Sequence, residues 1–444
     1  MIEDLFESAR RLLALAERAG AEEAEVFGSV AKAVDVDLRR DQVEMASESR
    51  DRGLGLRAVV EGAVGFSATS DLSKLAGVAE SAVRAARARG PDDKWRSLPY
   101  PERPGRPEGV YDPAIAEMGP DECLDLAATL LFGVGSVSGA DPVSGGLSAV
   151  SGSELLINSN GVELDERWTV FTAYLETLAK GEDGAVATGY DFVNSRAAHS
   201  DLADLGWSAG DLARRSVGGI RGESGKAQVL LGPIAFAEIL ESAFAPSIFG
   251  DNIQKGRSTL AGRIGETVAE EMIRIVDDGL LGGGMATSSF DGEGVASQRT
   301  TVVEGGVLRA FLYDSYTAGK EEAEMKSTGN ADRPGYNGIP RIGTSNLIAS
   351  STAPRDVLAE TKRGYLVTGV IGAHTANSVS GDFSVEARNV FLVEDGALVR
   401  PIRSLMLAGN VFDLLGSMEA GTDPRMVGSM VVPTVKAEMK VVGS

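Results

Sequence analysis

Hydrophobic and polar positions along the first 90 residues follow two different periods. Apolar residues in 4–18 recur every three or four positions, which predicts an amphipathic helix. Apolar and polar residues then alternate through AEVFGSV, AVDVDL, GLGLRAVV and GAVGFSATS, a pattern typical of half-buried strands. A second amphipathic helix is predicted over residues 71–89. Because strands follow one another between two helices, we expect an α+β module with antiparallel strands over residues 1–90.

The rest of the chain divides at a proline-rich stretch. Residues 91–120 contain seven of the 16 prolines and are predicted to be a linker or a surface crossing. Residues 121–225 predict a helix, a hairpin turned by Asn160-Gly161, and a helical segment. Residues 226–444 predict a mainly antiparallel β domain with a few helices. The expected fold class is therefore α+β throughout.

One segment of the C-terminal region, FAEILESAFAPSIFGD (residues 236–251), predicts a helix. Pro246 lacks a backbone N–H and should end this helix at or near Ala245. The apolar residues fall on one helical face, and they are Phe236, Ile239, Leu240, Ala243 and Phe244.

Charge and cysteine content exclude several classes of function. The net charge of the 444-residue chain is −21, which argues against nucleic acid or an anionic membrane as a direct partner. The N-terminus does not resemble a signal peptide and no apolar run is long enough to span a membrane, so we expect a cytoplasmic protein. The single cysteine, Cys123, permits neither an intrachain disulfide nor a cysteine metal cluster. A salty cytosol and a GC-rich genome explain the lysine-poor, acidic composition equally well.

Common catalytic motifs are missing from the sequence. GIRGESGK (residues 219–226) lacks the spacing of a phosphate-binding loop, and neither G-x-S-x-G nor H-E-x-x-H occurs. The two histidines, His199 and His374, are far apart in the chain, so they cannot form the usual zinc site. His374 opens a polar loop after an apolar strand, and a structural role in that loop is the simpler interpretation.

A specific pattern of segments nevertheless accumulates in the C-terminal half. KGRSTLAGRIGE, IRIVDDGLLGG, FDGEGVASQRTTVVEGGVLRAFLYDSYTA and NSVSGDFSVEARNVFLVEDGAL follow in this order. Together they resemble the TldD/PmbA family of cytosolic peptidases, and the resemblance extends over essentially the whole chain. VSGDFS, with AGN further on, resembles the PmbA (TldE) half of the family. TldD-type chains carry an H-E-x-x-x-H helix that holds the catalytic metal with a cysteine near the C-terminus.

The resemblance implies that this chain lacks that metal motif. Gly250-Asp251 and Lys255-Gly256 set the register, which puts Glu241 and Pro246 where the family's two metal-binding histidines would be. Ser242 stands where the catalytic glutamate would be. Glu241 alone leaves one carboxylate ligand, whereas a peptidase metal needs about three protein ligands and an activated water. We therefore predict no catalytic residues, no metal and no other cofactor in this chain.

The resemblance further implies a non-catalytic subunit that, with a TldD-type partner holding the metal (zinc is expected), encloses and cleaves small unfolded peptides. A homodimeric peptide-binding or chaperone-like protein without hydrolysis stays open as an alternative, and an autonomous hydrolase that uses Asp and Glu is the least favoured. The polar loop after residue 373 is the candidate lining of the peptide cavity. The residues predicted for that lining are His374, Asn377, Ser378, Gly381, Asp382 and Ser384.

Overall fold

The computed structural model describes residues 2–182, 184–321 and 325–443. Its helices match the predicted amphipathic segments closely in the N-terminal half. They are α1 (Ile2–Ala19), α2 (Leu75–Arg89), α3 (Pro113–Glu117), α4 (Pro120–Gly135), α5 (Ala203–Ser216), α6 (Pro233–Ile239), α7 (Gly250–Gln254), α8 (Ser315–Gly319) and α9 (Val411–Leu415).

Strands account for more of the chain than helices do, and most of them pair antiparallel. The long strands of the N-terminal half are β1 (Glu23–Arg39), β2 (Gln42–Val60), β3 (Ala63–Thr69), β4 (Ala140–Asn158), β5 (Glu163–Lys180) and β6 (Val186–Ser195). The C-terminal half contains β7 (Gly225–Leu231), β8 (Ile273–Asp278), β9 (Arg299–Glu304), β10 (Val307–Leu308), β11 (Ala331–Asp332), β12 (Arg341–Ile342), β13 (Leu347–Ser351), β14 (Arg363–Ile371), β15 (Asp382–Glu394), β16 (Ala397–Ile402), β17 (Leu405–Asn410), β18 (Glu419–Ala420), β19 (Arg425–Val427), β20 (Met430–Val432) and β21 (Val435–Gly443).

The first six strands form one sheet in the order β3-β2-β1-β4-β5-β6. β1 pairs with β4 in a long antiparallel register from Glu25↔Asn158 to Arg39↔Ser144, so the segments before and after the proline-rich stretch share a sheet. Each segment has the same order of elements, namely a helix, three antiparallel strands and a helix. The sheet therefore consists of two similar halves that meet at its two central strands.

All four long helices of this region lie on one face of the sheet. α1 and α2 pack on a core that includes Val26, Leu56 and Leu155. α4 and α5 pack on a second core that includes Val36 and Phe171. Val26 and Val36 are separated by an even number of positions on β1, so their side chains point to the same face of the sheet. The four helices therefore lie on that one face. The opposite face is left for the C-terminal half of the chain.

The C-terminal half is built on a ring of strands and a second sheet. β14, β7, β21, β17 and β15 pair in sequence, and the β14–β15 pairing closes the ring, with β16 and β18 attached at its sides. The second sheet has the order β10-β9-β8-β13-β20-β19. One large core lies between these strands and the segment after β7. The α+β fold class, with a mainly antiparallel C-terminal β domain, is confirmed.

A buried ionic network joins the first sheet to the C-terminal half. Arg57 of β2 donates through Nε to Glu25 of β1 at 3.0 Å and through Nη1 to Glu293 at 2.8 Å. Arg333 donates to the same Glu25 carboxylate. Burial opposes the charge of Arg57, but Glu25 and Glu293 overcome that effect and raise its pKa. Because these side chains come from segments far apart in sequence, the network fixes how the two halves sit against each other.

Within residues 2–182, 184–321 and 325–443, no helix is long and apolar enough to cross a bilayer.

Candidate functional site

The candidate site begins where β7 runs into the segment predicted to be one helix. Gly232 follows the strand and donates its N–H to the carbonyl of Val367 at 2.8 Å, which ties the helix start to β14. Pro233 occupies the first turn of α6, where its missing N–H costs no hydrogen bond. The predicted apolar face is confirmed, because Phe236, Ile239, Leu240, Ala243 and Phe244 are all buried.

The predicted end of this helix is wrong in detail. Regular α-helical geometry stops at Ile239, a π-helical turn covers residues 240–244, and a 3₁₀ turn follows over residues 245–248. Pro246 lies at the start of the 3₁₀ turn, a position that tolerates proline because no N–H is needed there. The carbonyl of Pro246 accepts a hydrogen bond from the Asn252 side chain at 2.8 Å. A change of helix type therefore lets the chain continue past the proline.

The three residues predicted at the lost metal positions lie on this altered segment. Glu241 is exposed, and Ser242 and Pro246 are half-buried. This donor set offers one carboxylate, one hydroxyl and no imidazole or thiolate, so it does not fit a peptidase metal. In residues 2–182, 184–321 and 325–443, no group of three or more His, Cys, Asp or Glu is arranged to hold an ion. Cys123 is buried under the first sheet, and burial raises the pKa of its thiol to about 11.

The predicted cavity loop is a compact turn whose shape is set by hydrogen bonds. Asn377 donates its N–H to the carbonyl of Asp382 at 2.8 Å, and its side chain accepts from two backbone N–H groups of the loop. Gly381 has φ of +84°, and a Cβ there would lie 2.8 Å from the ring of Phe412. Asn410 bridges the loop by donating to the Ser380 carbonyl at 2.8 Å and to the Asp382 carboxylate at 2.9 Å.

The exposure of the loop residues determines which of them could touch another molecule. The exposed residues are His374, Asn377, Asp382 and Ser384; Ser378 is half-buried and Gly381 is buried. Hydrogen bonds from Ser380 and Asn410 hold the pKa of the Asp382 carboxyl below its ordinary value. The loop therefore presents a fixed negative charge to solvent at the end of the ring of strands.

The structure brings the helix segment and the loop together. Ser247, which is fully buried, donates its hydroxyl to the Ser378 carbonyl at 3.1 Å. Phe244 packs edge-on against Phe412, with 6.4 Å between ring centroids. These contacts place Pro246 and the predicted cavity loop on neighbouring parts of one surface, although the two segments are more than a hundred residues apart in sequence.

The sequence did not point to a half-buried carboxyl near this surface, that of Glu238. Glu238, on α6, accepts the N–H of Val370 at 3.1 Å, and burial raises its pKa above the ordinary value. It lines a cavity of about 320 Å³ between the ring of strands and the β6 edge of the first sheet. Arg388 and Arg425 line the same cavity. The sequence gives no signal for Glu238, because its partial burial depends on contact with β14.

Family models match three consecutive parts of the chain. Residues 24–86 match PmbA/TldA metallopeptidase domain 1, residues 113–217 match the PmbA/TldA metallopeptidase central domain, and residues 224–443 match the PmbA/TldA metallopeptidase C-terminal domain.

Similar proteins occur in archaea and bacteria. An uncharacterized protein of Methanocaldococcus jannaschii is 32% identical over 427 residues, covering 96% of this chain and 97% of that protein. The metalloprotease PmbA of Escherichia coli O157:H7 is 26% identical over 440 residues, covering 95% and 92% of the two chains. The crystal structure of TldE from Thermococcus kodakarensis superimposes with a TM-score of 0.90 at 24% identity, covering 98% of this chain and all of that one. At that identity the superposition establishes the fold alone.

Proposed function

Because the chain belongs to the PmbA/TldD metallopeptidase family, we propose that it is the non-catalytic subunit of a two-component metallopeptidase. Its TldD-type partner supplies the metal, for which zinc is the expected ion, and the pair cleaves small unfolded peptides in the cytosol. This chain completes the peptide chamber and stabilises the partner.

The main support for the proposal is the set of side chains on the segment 241–246. Glu241, Ser242 and Pro246 occupy the positions of ligand, general base and ligand in the register set by Gly250-Asp251. A catalytic zinc site requires three protein ligands and a bound water, and its base is usually a carboxylate. One exposed carboxylate cannot replace that set. This segment corresponds to the metal-binding helix of TldD-type chains, but it lacks the residues that bind a catalytic zinc ion and activate water.

The neighbouring loop supports a role in holding peptide. Asn377, Asp382 and Ser384 are exposed, and the hydrogen bonds of Asn410 keep the loop in one conformation. Rigid polar groups beside an apolar segment can bind extended backbone without selecting a side-chain sequence. The loop thus contributes to the wall of the chamber, and the cleavage step belongs to the partner subunit.

The experiment is co-expression of this chain with a TldD-type subunit, followed by size exclusion and a peptide-cleavage assay. We expect a stable heteromer that cleaves an unfolded peptide, whereas this chain alone does not. Metal-dependent cleavage by the chain alone would overturn the proposal. Failure to bind a TldD-type subunit, with retained affinity for peptide, would instead favour the homodimeric peptide-binding or chaperone-like protein.

A further inference from the structure

The cavity beside Glu238 (the Glu238 cavity) lies between the ring of strands and the β6 edge of the first sheet. Its volume is about 320 Å³, at the lower end of the range for small-molecule sites. Part of its lining consists of half-buried apolar residues, as is usual for a pocket that takes an apolar group. These residues are Leu212 of α5, Pro233 and Ile234 of α6, and Leu366 of β14.

Two of the three arginines that line this cavity already have carboxylate partners. Arg425 donates to Asp191 at 2.6 Å, and Arg215 donates to Asp211 at 3.3 Å. The third, Arg388 of β15, forms no hydrogen bond and no ion pair with the described residues. A guanidinium binds a carboxylate best through two parallel hydrogen bonds, so Arg388 is the group of this cavity that remains free to bind an anion.

The charge and the surroundings of Arg388 place its guanidinium in the cavity. Its positive charge opposes the rise in the pKa of Glu238 on α6 and of Tyr190 on β6, two residues that line other walls. Its cross-strand partner on β14 is Gly369, where an added Cβ would meet no atom within 4 Å. The space next to Arg388 is therefore open, and charged or polar groups surround it from three elements.

The residue after Arg388 fixes this part of the cavity wall. Asn389 has φ of +47°, a left-handed conformation that asparagine adopts more readily than most residues. Its side chain donates to the carbonyl of Thr188 at 2.6 Å and to the hydroxyl of Ser216 at 2.8 Å, which ties β15 to β6 and α5. Strained residues that are held by several contacts are frequent at ligand-binding sites. The backbone that carries Arg388 is thus held in place without a ligand.

Glu238 offers a second contact close to Arg388. Its Oε2 atom accepts the N–H of Val370 at 3.1 Å, and its Oε1 atom accepts no hydrogen bond from the described residues. Burial raises the pKa of Glu238 despite the charge of Arg388, whereas a close ion pair would lower it. Arg388 and Glu238 therefore do not satisfy each other. A ligand with a carboxylate next to an N–H group can bind both.

We propose that the Glu238 cavity binds the C-terminal residue of a peptide. The carboxylate of that residue lies on Arg388, its amide N–H donates to Glu238, and its apolar side chain packs on the apolar lining. The choice of a peptide rests on the proposed function, because cleavage in the chamber releases fragments with free C-terminal carboxylates. Glu238 precedes Glu241 by three residues and the charge of Glu241 acts on it, so the cavity adjoins the candidate site.

The test uses the purified full chain without a partner subunit and three related probes. N-acetyl-L-leucine has the carboxylate, the N–H and the side chain; N-acetyl-L-leucinamide lacks the carboxylate, and 4-methylpentanoate lacks the N–H. We expect N-acetyl-L-leucine to bind in calorimetry and each of the other two to bind at least about tenfold more weakly, because each leaves a polar group of the cavity unpaired. Absence of N-acetyl-L-leucine binding, or equal binding of N-acetyl-L-leucinamide, would overturn the proposal. Equal binding of 4-methylpentanoate would also overturn it and would assign the cavity to small carboxylic acids.

Matched variants connect binding to Arg388 and to the open space beside it. Arg388→Gln should weaken N-acetyl-L-leucine binding by about tenfold or more. Arg400→Gln is the control, since Arg400 is exposed on the neighbouring strand β16, and it should bind like the wild type. Gly369→Leu should block binding without lowering the melting temperature, because its side chain enters open space. Wild-type affinity in Arg388→Gln or in Gly369→Leu would overturn the proposal.

The binding assay and the cleavage assay give separate answers. Binding of the probes needs neither the partner subunit nor hydrolysis. Failure of the heteromer to cleave peptide, with N-acetyl-L-leucine bound as expected, would contradict the proposed function alone. Failure of the probes to bind, with cleavage by the heteromer intact, would contradict only the assignment of the Glu238 cavity.

Discussion

Replacing Arg57 by methionine removes the centre of the network that joins the first sheet to the C-terminal half. Arg57 is 5% exposed, and its two carboxylate partners, Glu25 and Glu293, are 0% and 3% exposed. Removing one partner from a buried ionic group leaves uncompensated charge, which costs about 3–5 kcal/mol. Glu25 keeps Arg333, and Glu293 keeps the N–H of Ser315, so the expected loss lies near the lower limit, about 3 kcal/mol.

The assay is equilibrium unfolding in urea, followed by far-ultraviolet circular dichroism, with the free energy of unfolding extrapolated to water. Arg50→Met is the matched control, since Arg50 lies on the same strand and its side chain is 66% exposed beside Glu48. An exposed pair of this kind contributes less than about 1 kcal/mol. Equal losses for Arg57→Met and Arg50→Met would refute the reasoning that burial makes the Arg57 network important for stability.

Three further predictions concern the candidate site, backbone packing and pH. Glu241→Ala should leave peptide cleavage by the heteromer nearly unchanged, because the exposed carboxylate holds no metal; the cleavage rate of the co-purified pair checks this. Gly55→Ala should destabilise the protein by about 1–3 kcal/mol in thermal unfolding, since its Cβ would lie 1.9 Å from a backbone carbonyl oxygen, whereas Gly77→Ala, with open space, should not. Burial alone would raise the pKa of Glu293, but the positive charge of Arg57 outweighs that effect and holds this pKa below its ordinary value. The ionised Glu293 therefore stabilises the folded protein above the unfolded pKa of about 4.3, and this contribution is lost as the pH falls below that value. The stability difference between wild type and Glu293→Gln should therefore shrink as pH falls below about 4.3, which urea unfolding at a series of pH values measures.

Local sequence patterns predicted the elements of the N-terminal half but not their assembly. The helical period over residues 4–18 and the alternation after it correspond to α1 and to the strands of the first sheet. AEVFGSV and AVDVDL form one continuous strand, because only Ala31 and Lys32 separate them and neither favours a turn. The pairing of β1 with β4 could not be predicted, since the register of distant strands is set by tertiary packing.

The candidate site was predictable only where a local pattern of apolar residues determines the structure. The apolar face of residues 236–244 follows directly from helical spacing, and all of its predicted members are buried. The π-helical turn and the continuation of the chain past Pro246 have no local signal in the sequence. Glu238 likewise became notable only through its contact with Val370. The predicted role of the loop in lining a peptide chamber stays a prediction.

Metal content measured separately in this chain and in a TldD-type subunit tests most directly the proposal that the metal belongs to the TldD-type subunit alone. The chain and its TldD-type partner would be purified apart, analysed for bound zinc, and assayed for cleavage of an unfolded peptide alone and after mixing. We expect zinc in the TldD-type subunit, none in this chain beyond background, and cleavage by the mixture that persists with Glu241→Ala. Stoichiometric zinc in this chain, with cleavage in the absence of the partner, would contradict it.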